Sequence, residues 1–472
     1  MMQNGKIMGA IGAAALLAAA GTATAQTTCN RPIGPDVIVG DMQGISNFTA
    51  GTGAYAGIDA FSLGTYSCNV GNVWLNWFQF PSNQHPTIGG MLYRFDRFGN
   101  GVTQIQQIGQ SWLKHGFFAL SNNLCCAGCQ STDGTHLGVS CSDPYTAARN
   151  ASQGGLGPRY QVNAHTGFFP TGGPAGGTGG SGTVYRRNQF LLADVTTSSG
   201  GTGAPVRFYG ETQYIAADDA AAGNADNNSS YIELSVTGSA TDRTLARLGS
   251  TVREKAAVQA WKVNDATVTE SAADVPNEGH YIVCSDATDI GGGWWHYEYV
   301  VHNMNSDRSS GSFSVPISPG TCVQNIGFHD VAYRDGDGIG NVNQSGTDWT
   351  ATVGSNAITW ATETFAQNQN ANAIRWSTSY NFRFDAKVAP GSGLMNATVG
   401  LFKPGTPSSI TAAVQYPGCP ADWDGDGFLS GPDYDLFVQQ FEAGDPDTDF
   451  DCDGFPTGVD FDVYVQSFEA GC

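Results

Sequence analysis

The chain has 472 residues, of which only 13% are charged, and its formal net charge is −21 at pH 7. This acidity argues against a general nucleic-acid binder, which needs a basic surface for phosphates, and against attachment to anionic lipids through a polybasic patch. A hydrophobic share of 40% is enough to form the cores of two to four domains.

The N-terminus has the pattern of a secretory signal. Lys6 precedes an apolar, Ala-rich segment at 7–20, and Ala23-Thr24-Ala25 supplies the small residues of a cleavage site. The sequence therefore predicts a signal peptide at 1–25, cleaved near Ala25. No later stretch has the ~18 consecutive apolar residues of a membrane span. The protein is predicted to be secreted, extracellular or at the cell surface, without membrane insertion.

A Cys- and His-rich domain is predicted at 26–171. Because secreted proteins are oxidised, its cysteines are expected to form disulfides. The alternative is a zinc site, since Cys126-x-x-Cys129 lies close in sequence to further Cys and His residues. The predicted compartment favours disulfides over zinc. These further residues are Cys125, Cys141, His85, His115, His136 and His165.

The whole chain has eleven cysteines, so at least one thiol is free or pairs with another chain. Cys284 and Cys322 are the only two between residues 142 and 418. Their pairing with each other is the simplest expectation.

The segment 172–204 is rich in glycine and is predicted to be a linker with long surface loops. It precedes a strand-rich domain at 205–416, and the whole chain from 26 to 416 is called the body below. Within this domain, Trp295, Tyr297, Tyr299 and Val301 alternate along one strand and should share one face. Short strands separated by Gly, Asn and Asp predict a β-sandwich. The predicted strands are 231–236, 281–284, 294–301, 312–317, 357–360 and 397–402, and one helix is predicted over 216–222, ended by Gly223. The expected fold class is mainly β, stapled by disulfides, with a small all-α module at the C-terminus.

The body contains no strong catalytic motif, and the catalytic residues stay unknown. Glu298 is the most suggestive carboxylate, because alternation places it on the same strand face as His296 and His302. A glycosidase could use such a carboxylate as a general acid. The favoured interpretation is that these residues form the outward polar face of a sandwich strand. His329-Asp330 is a weaker candidate.

The C-terminal segment 417–472 differs in composition from the rest of the chain. It holds 12 Asp and 2 Glu but no Lys or Arg, so it carries −14 of the net −21. It is also internally duplicated with an offset of 27 residues, since 422–433 aligns with 449–460 and 438–444 aligns with 465–471. The segment is therefore predicted to be a small module made of two copies of one unit.

Each copy has oxygen donors at loop positions 1, 3, 5, 9 and 12, a backbone carbonyl at position 7 and Gly at position 6, which is the spacing of an EF-hand calcium loop. Calcium suits this set better than zinc, because every side-chain donor is oxygen. Position 12 is expected to begin an amphipathic helix, and metal binding is expected to be coupled to folding. The predicted ligands of two Ca²⁺ ions are Asp422, Asp424, Asp426, Phe428, Ser430 and Asp433 in the first loop, and Asp449, Asp451, Asp453, Phe455, Thr457 and Asp460 in the second.

Three alternatives fit this pattern less well. A solvated acidic loop would not keep the donor positions twice at one offset. A thrombospondin-like calcium repeat would lack the amphipathic helix after each loop. A pair of sensor EF-hands needs a helix before each loop, and Cys419-Pro420-Ala421 leaves no room for one.

At these residues the segment resembles a type I dockerin, a two-calcium module that docks extracellular enzymes onto cohesin domains. It is most similar to a bacterial variant that begins Cys-Pro-Ala-Asp and ends Gly-Cys. The resemblance covers about 54 of the 472 residues and implies a cohesin-like partner. Many dockerins have Ser-Thr at positions 10 and 11, where this chain has Gly431-Pro432 and Gly458-Val459. Because the ends of a dockerin lie close together, the resemblance also implies a disulfide between Cys419 and Cys472, which leaves Cys452 as the odd thiol.

The segment 297–317 is similar to a β-rich segment of dockerin-anchored secreted proteins with no assigned activity. We therefore expect an exported calcium-binding protein whose module anchors a non-catalytic or carbohydrate-binding body to an extracellular or cell-surface partner. The alternative is a secreted polysaccharide-degrading hydrolase that is localised by the same module.

Overall fold

The computed structural model describes Cys29, Arg31 and residues 33–49, 53–115, 118–171, 182–196 and 206–471. The predicted signal peptide at 1–25 lies outside these residues, as do most of the Gly-rich segment and Cys472. No helix in the described ranges is long and apolar enough to cross a membrane.

The fold is mainly β, as predicted, and begins with thirteen strands and three short helices. In chain order the strands are β1 (Val37–Phe48), β2 (Ile58–Asn69), β3 (Leu75–Asn76), β4 (Thr87–Arg97), β5 (Thr103–Gln110), β6 (Leu113–Lys114), β7 (His136–Leu137), β8 (Ser142–Tyr145), β9 (Leu156–Gly157), β10 (Asn188–Leu191), β11 (Arg207–Ile215), β12 (Ser229–Ser239) and β13 (Asp242–Val252). The helices are α1 (Ala147–Asn150), α2 (Ala217–Ala221) and α3 (Ala260–Asn264). Helix α2 and the left-handed Gly223 that follows it confirm the helix predicted at this position.

These strands form one large antiparallel sheet with the main order β1-β2-β10-β5-β4-β11-β12-β13, beside the small pair β3-β7. The sheet curls until its two outer strands meet. Asn47 of β1 exchanges two hydrogen bonds of 2.9 Å with the backbone of Leu245 in β13, and the N–H of Met42 donates to the hydroxyl of Thr251. These bonds cover the open edges that a curled sheet would otherwise expose.

The large sheet continues across the Gly-rich segment, because β11 pairs with β4 and β12. Strands from before residue 171 and from after residue 205 therefore belong to the same sheet. The division of the chain into two domains at those residues stays a prediction.

The second half of the body is a β-sandwich, which confirms the predicted architecture. Its strands are β14 (Thr269–Val275), β15 (Gly279–Gly291), β16 (Trp294–Asn303), β17 (Ser310–Pro316), β18 (Val323–His329), β19 (Thr350–Val353), β20 (Ala357–Ala361), β21 (Thr378–Ala386), β22 (Met395–Leu401) and β23 (Ser409–Val414). They form two five-stranded sheets, with orders β14-β15-β16-β21-β18 and β19-β20-β17-β22-β23.

The sandwich core is rich in aromatic residues, and alternate residues of β16 contribute to it, as predicted. Tyr297, Tyr299 and Val301 are fully buried in it, and Trp295 packs at its margin. On the neighbouring strand, Phe382 contacts four further aromatic rings at centroid distances of 4.8–5.6 Å, and these rings belong to Phe313, Phe328, Trp349 and Trp360.

The C-terminal module packs two helices, α4 (Gly431–Glu442) and α5 (Gly458–Ala470), against each other. Phe437 and Tyr464 stack face to face at its centre, with their centroids 3.6 Å apart. Each helix begins at loop position 10, two residues earlier than predicted. The difference arises because Ser430 and Thr457 at position 9 act as N-caps.

Replacing Phe382 with alanine should lower the free energy of unfolding by about 3–5 kcal/mol, because it leaves a cavity among four aromatic rings. Urea denaturation followed by tryptophan fluorescence measures the change. Phe168→Ala is the matched control, since the Phe168 side chain is mostly exposed. Equal losses in the two variants would contradict the position of the core.

Candidate metal centre

The carboxylates at loop positions 1, 3 and 5 converge in both copies of the C-terminal module. Oxygens from Asp422, Asp424 and Asp426 all lie within 4.8 Å of one another. The equivalent triplet in the second copy has the same arrangement, and it comprises Asp449, Asp451 and Asp453. A calcium ion binds oxygens at 2.3–2.6 Å, so each triplet is spaced to share one such ion.

The position 1 carboxylate is incompletely satisfied in each loop. In the first loop, Asp422 Oδ2 accepts a hydrogen bond of 2.9 Å from the N–H of Gly427, and in the second, Asp449 Oδ2 accepts one of 3.0 Å from Gly454. The Oδ1 atoms of both aspartates are buried, and no described residue donates a hydrogen bond to either. Burying a carboxylate oxygen without a partner is costly, and a bound cation would remove that cost.

The position 12 carboxylates hold the loop backbone in place. Asp433 accepts hydrogen bonds from the N–H groups of Ser430 and Asp424, at 2.8 and 3.1 Å. In the second loop, Asp460 accepts from Phe450 at 2.7 Å and from Thr457. These bonds orient the carboxylates towards the loop, although neither aspartate belongs to the converging triplet of its loop.

Mutual repulsion contributes to the raised pKa of a carboxylate in the first loop. The pKa of Asp422 is raised, first by burial and then by the charges of Asp433, Asp426 and Asp424. Burial opposes the shift at Asp433, but hydrogen bonds from backbone N–H groups lower the pKa of that residue. The loop thus concentrates negative charge that a divalent cation would neutralise.

The predicted ligands at positions 7 and 9 are less well defined by the structure than the three converging carboxylates of each loop. The side chain of Phe428 at position 7 is 75% exposed and that of Phe455 is 71% exposed. Ser430 and Thr457 at position 9 serve as helix N-caps. The assignment of these four residues as calcium ligands stays a prediction, as does that of the eight aspartates.

The disulfide that reaches the second loop was not predicted. Cys452 at position 4 is bonded to Cys322, which precedes β18 in the sandwich. The expected pair of Cys284 with Cys322 is therefore wrong, as is the expectation that Cys452 is the odd thiol. Cys284 is instead an unpaired thiol, fully buried where the sandwich packs on the large sheet. Cys419 is also disulfide-bonded, but Cys472 lies outside the described residues, so their pairing stays a prediction.

The cysteines of the N-terminal region form three disulfides, as favoured from the sequence. The pairs are Cys29–Cys126, Cys68–Cys125 and Cys129–Cys141. Both cysteines of the Cys126-x-x-Cys129 motif are thus bonded to other cysteines and are not available to bind zinc.

Two of the four histidines that were considered as zinc ligands in this region lie close together. His85 Nε2 and His115 Nδ1 are 3.4 Å apart. Burial lowers the pKa of both, to about 4 for His85 and about 3 for His115, so neither carries a charge at neutral pH. His136 and His165 lie elsewhere, His136 between the rings of Trp74 and Phe78.

Glu298 shares a face with His296 and His302, as alternation predicts, but that face is not outward. Only 1% of Glu298 is exposed, because β16 and β21 pack on β5 of the large sheet. Its carboxylate accepts a hydrogen bond of 2.9 Å from Asn381 and lies 3.4 Å from His296 Nε2. The expectation of a solvated polar face is therefore wrong, and Glu298 belongs to a buried polar contact between two sheets.

His296 joins two carboxylates in this contact. Its Nδ1 lies 2.6 Å from Asp385 Oδ1, in addition to the contact with Glu298. Burial alone would lower the pKa of His296, but hydrogen bonds and the charges of both carboxylates raise it above the ordinary value. The weaker candidate His329 lies 3.2 Å from the carbonyl oxygen of Gln107 in β5 and belongs to the same contact.

Comparison with known proteins adds no relative: no protein-family model matches the chain, and no curated protein is significantly similar to it.

Replacing His296 with glutamine should destabilise the protein more at pH 5.5 than at pH 9. The folded-state pKa of His296 lies above its unfolded value, so its contribution is complete below about pH 6.5 and is lost as pH rises through the folded pKa. Breaking such a buried charge pair costs about 3 kcal/mol.

Urea denaturation at the two pH values measures the difference. His165→Gln is the control, because His165 takes part in no ion pair within the described part of the chain. Equal destabilisation by His296→Gln at both pH values would show that the histidine is uncharged in the folded protein.

Proposed function

We propose that the protein is a secreted calcium-binding protein whose C-terminal module, of dockerin type, binds two Ca²⁺ ions and anchors the β-rich body to an extracellular or cell-surface partner. The observation that carries the proposal is the convergence of three carboxylates in each loop around a buried oxygen that lacks a donor. The four disulfides between described cysteines are consistent with an oxidising, extracellular compartment.

Calcium fits these loops better than other common cations. All side-chain donors are hard oxygens, which disfavours zinc and copper. Magnesium demands a near-ideal octahedron at 2.0–2.1 Å and keeps several waters, whereas an open acidic loop with a sharp turn suits the larger ion. The turn is supplied by Gly427 and Gly454 at position 6, both with positive φ angles of 85° and 96°.

Calcium binding would control whether the module presents a docking surface. The helices α4 and α5 begin directly from the two loops, so repulsion between loop carboxylates is transmitted to the ends of both helices. A bound ion offsets two of the four negative charges of its loop and allows the helices to pack around Phe437 and Tyr464. A cohesin-like protein would therefore bind only the calcium-loaded module.

We expect the full-length mature chain to bind two Ca²⁺ ions, as measured by isothermal titration calorimetry after EDTA treatment. Calcium at 100 times its dissociation constant should stabilise the module by about 2.7 kcal/mol for each ion bound. The double variant Asp451→Ala/Asp453→Ala should bind a single ion, because it removes two donors of one loop.

The matched control is Asp435→Asn/Asp462→Asn, which removes two exposed carboxylates from the helices and leaves the loops intact. It should still bind two ions. If the unmodified chain took up no calcium, or if the control lost as much binding as the loop variant, the proposal would fail.

A carbohydrate-binding role for the body is supported by an exposed aromatic patch, defined by Trp74, Phe78 and Phe118. Trp74 and Phe118 are 50% and 51% exposed. The rings of Trp74 and Phe78 lie 5.8 and 5.2 Å from the ring of His136, and Phe118 lies beside Gly134, two residues before His136. Exposed aromatic rings of this kind can stack on the apolar faces of sugars. Glu298 offers no support for the alternative hydrolase, since a buried carboxylate cannot reach a polysaccharide chain.

Trp74→Ala should weaken binding to an insoluble polysaccharide about tenfold, because the largest ring of the patch is lost. Pull-down of the calcium-loaded protein on cellulose, chitin and xylan measures the effect. Val263→Ala, at an exposed apolar residue on α3, should leave binding unchanged. Absence of binding to every polysaccharide by the unmodified protein would contradict this role.

A further inference from the structure

The two copies of the C-terminal module differ in how they contact the body. In the second copy, Cys452 is bonded to Cys322, and the hydroxyl of Ser467 donates a hydrogen bond of 3.0 Å to the carbonyl of Pro319. Phe450 packs so closely on Gly320 that a Cβ there would lie 2.5 Å from the ring. All of these contacts reach one loop of the sandwich at 319–322.

The first copy has no equivalent support. Among the described residues, the segment 422–444 forms no disulfide, ion pair or hydrogen bond with the body. Asp447, which precedes the second loop, lies 3.7 Å from Lys387 of the body. The module is joined to the sandwich at its first two residues, where Pro417 pairs with Pro390 and the N–H of Gly418 donates to the carbonyl of Ala389 at 2.8 Å. Of its two calcium loops, only the second is fixed to the body.

Position 4 of the calcium loop is the second difference between the copies. Both loops require a left-handed backbone there, with φ angles of 72° at Gly425 and 63° at Cys452. Glycine adopts this conformation without penalty, whereas a residue with a Cβ pays about 1–2 kcal/mol. A second loop without the disulfide would therefore be harder to close than the first.

We propose that the sandwich loop at 319–322 holds the second calcium loop in its binding conformation, so that the second site binds Ca²⁺ more tightly than the first. The Cys322–Cys452 disulfide offsets the conformational penalty at Cys452, and the contact of Phe450 with Gly320 fixes the adjacent loop position. The first site closes without help from the body and sets the calcium concentration at which the whole module is formed. This inference rests on the proposed calcium function.

The first experiment compares the two sites in the full-length chain without altering any cysteine. Asp424→Ala/Asp426→Ala silences the first loop, and Asp451→Ala/Asp453→Ala silences the second. Calorimetric titration with CaCl₂ alone then measures the remaining site in each variant. We expect the second site to bind about tenfold more tightly than the first, because the body holds its loop in the binding conformation before the ion arrives.

The second experiment tests the disulfide in the chain whose first loop is silenced. Cys322→Ser/Cys452→Ser removes the bond and keeps a Cβ at position 4, and it should weaken the second site about tenfold. Cys322→Ser/Cys452→Gly also removes the bond but allows the left-handed turn, so it should recover part of that affinity. Cys129→Ser/Cys141→Ser removes a disulfide from the large-sheet half of the body and should leave calcium affinity unchanged.

Circular dichroism and gel filtration establish that each variant is folded, and a non-reducing peptide map of the parent chain verifies the Cys322–Cys452 bond. If a cysteine variant fails to fold, the comparison of the two silenced loops still decides between equal and unequal sites. Absence of calcium binding by the unmodified chain overturns the proposed function itself. Calcium binding with equal affinities at the two sites overturns only this inference, and equal weakening by the Ser and Gly variants overturns the role of the left-handed Cys452.

Discussion

The adjacent strands β16 and β21 are buried on both faces along most of their length, and the rest of the structure is arranged around them. One face supplies Tyr297, Tyr299 and Phe382 to the sandwich core. The other face packs on β5 of the large sheet and is polar at many positions. Because buried polar groups must find partners, this second contact is specific: Asn381 donates to both Glu298 and the carbonyl of Ile105, and the N–H of Ser379 donates to Gln107. The contact fixes how the sandwich sits on the large sheet, and thereby where its loop at 319–322 lies.

The sequence predicts which residues of a single strand share a face, but it does not predict which other part of the chain packs on that face. Alternation along β16 correctly predicted which residues face the sandwich core, since a period of two is a local property of the chain. The opposite face was expected to be solvated, because antiparallel sheets commonly expose one side to water. His296 and Glu298 look the same in sequence whether water or another sheet covers them. Their burial depends on residues nearly 200 positions earlier, in β5, which no local pattern identifies.

The same distinction between local and long-range information separates the acidic loops of the C-terminal module from the disulfides. A loop of twelve residues contains its own donors, turn glycine and helix cap, so the convergence of Asp422, Asp424 and Asp426 follows from the motif alone. Disulfide pairing depends on which cysteines the folded chain brings within about 6 Å between Cα atoms. Cys322 and Cys452 are 130 residues apart with a Cα–Cα distance of 6.0 Å. Proximity in sequence favoured Cys284 as the partner of Cys322. The side chain of Cys284 is instead buried in the contact between the sandwich and the large sheet.

Duplication within a small module normally produces two equivalent faces, because the same residues repeat around a pseudo-symmetry axis. Here the equivalence is removed by the body, which contacts the second copy through a disulfide, a hydrogen bond and a buried aromatic ring. The body cannot contact the first copy in the same way, since one loop at 319–322 can occupy only one of two symmetric positions. A residue that would be unfavourable in an isolated repeat, the left-handed Cys452, is acceptable in the copy that the body holds. The two copies therefore share one donor pattern but experience different constraints, since only the loop of the second copy is bonded to the body.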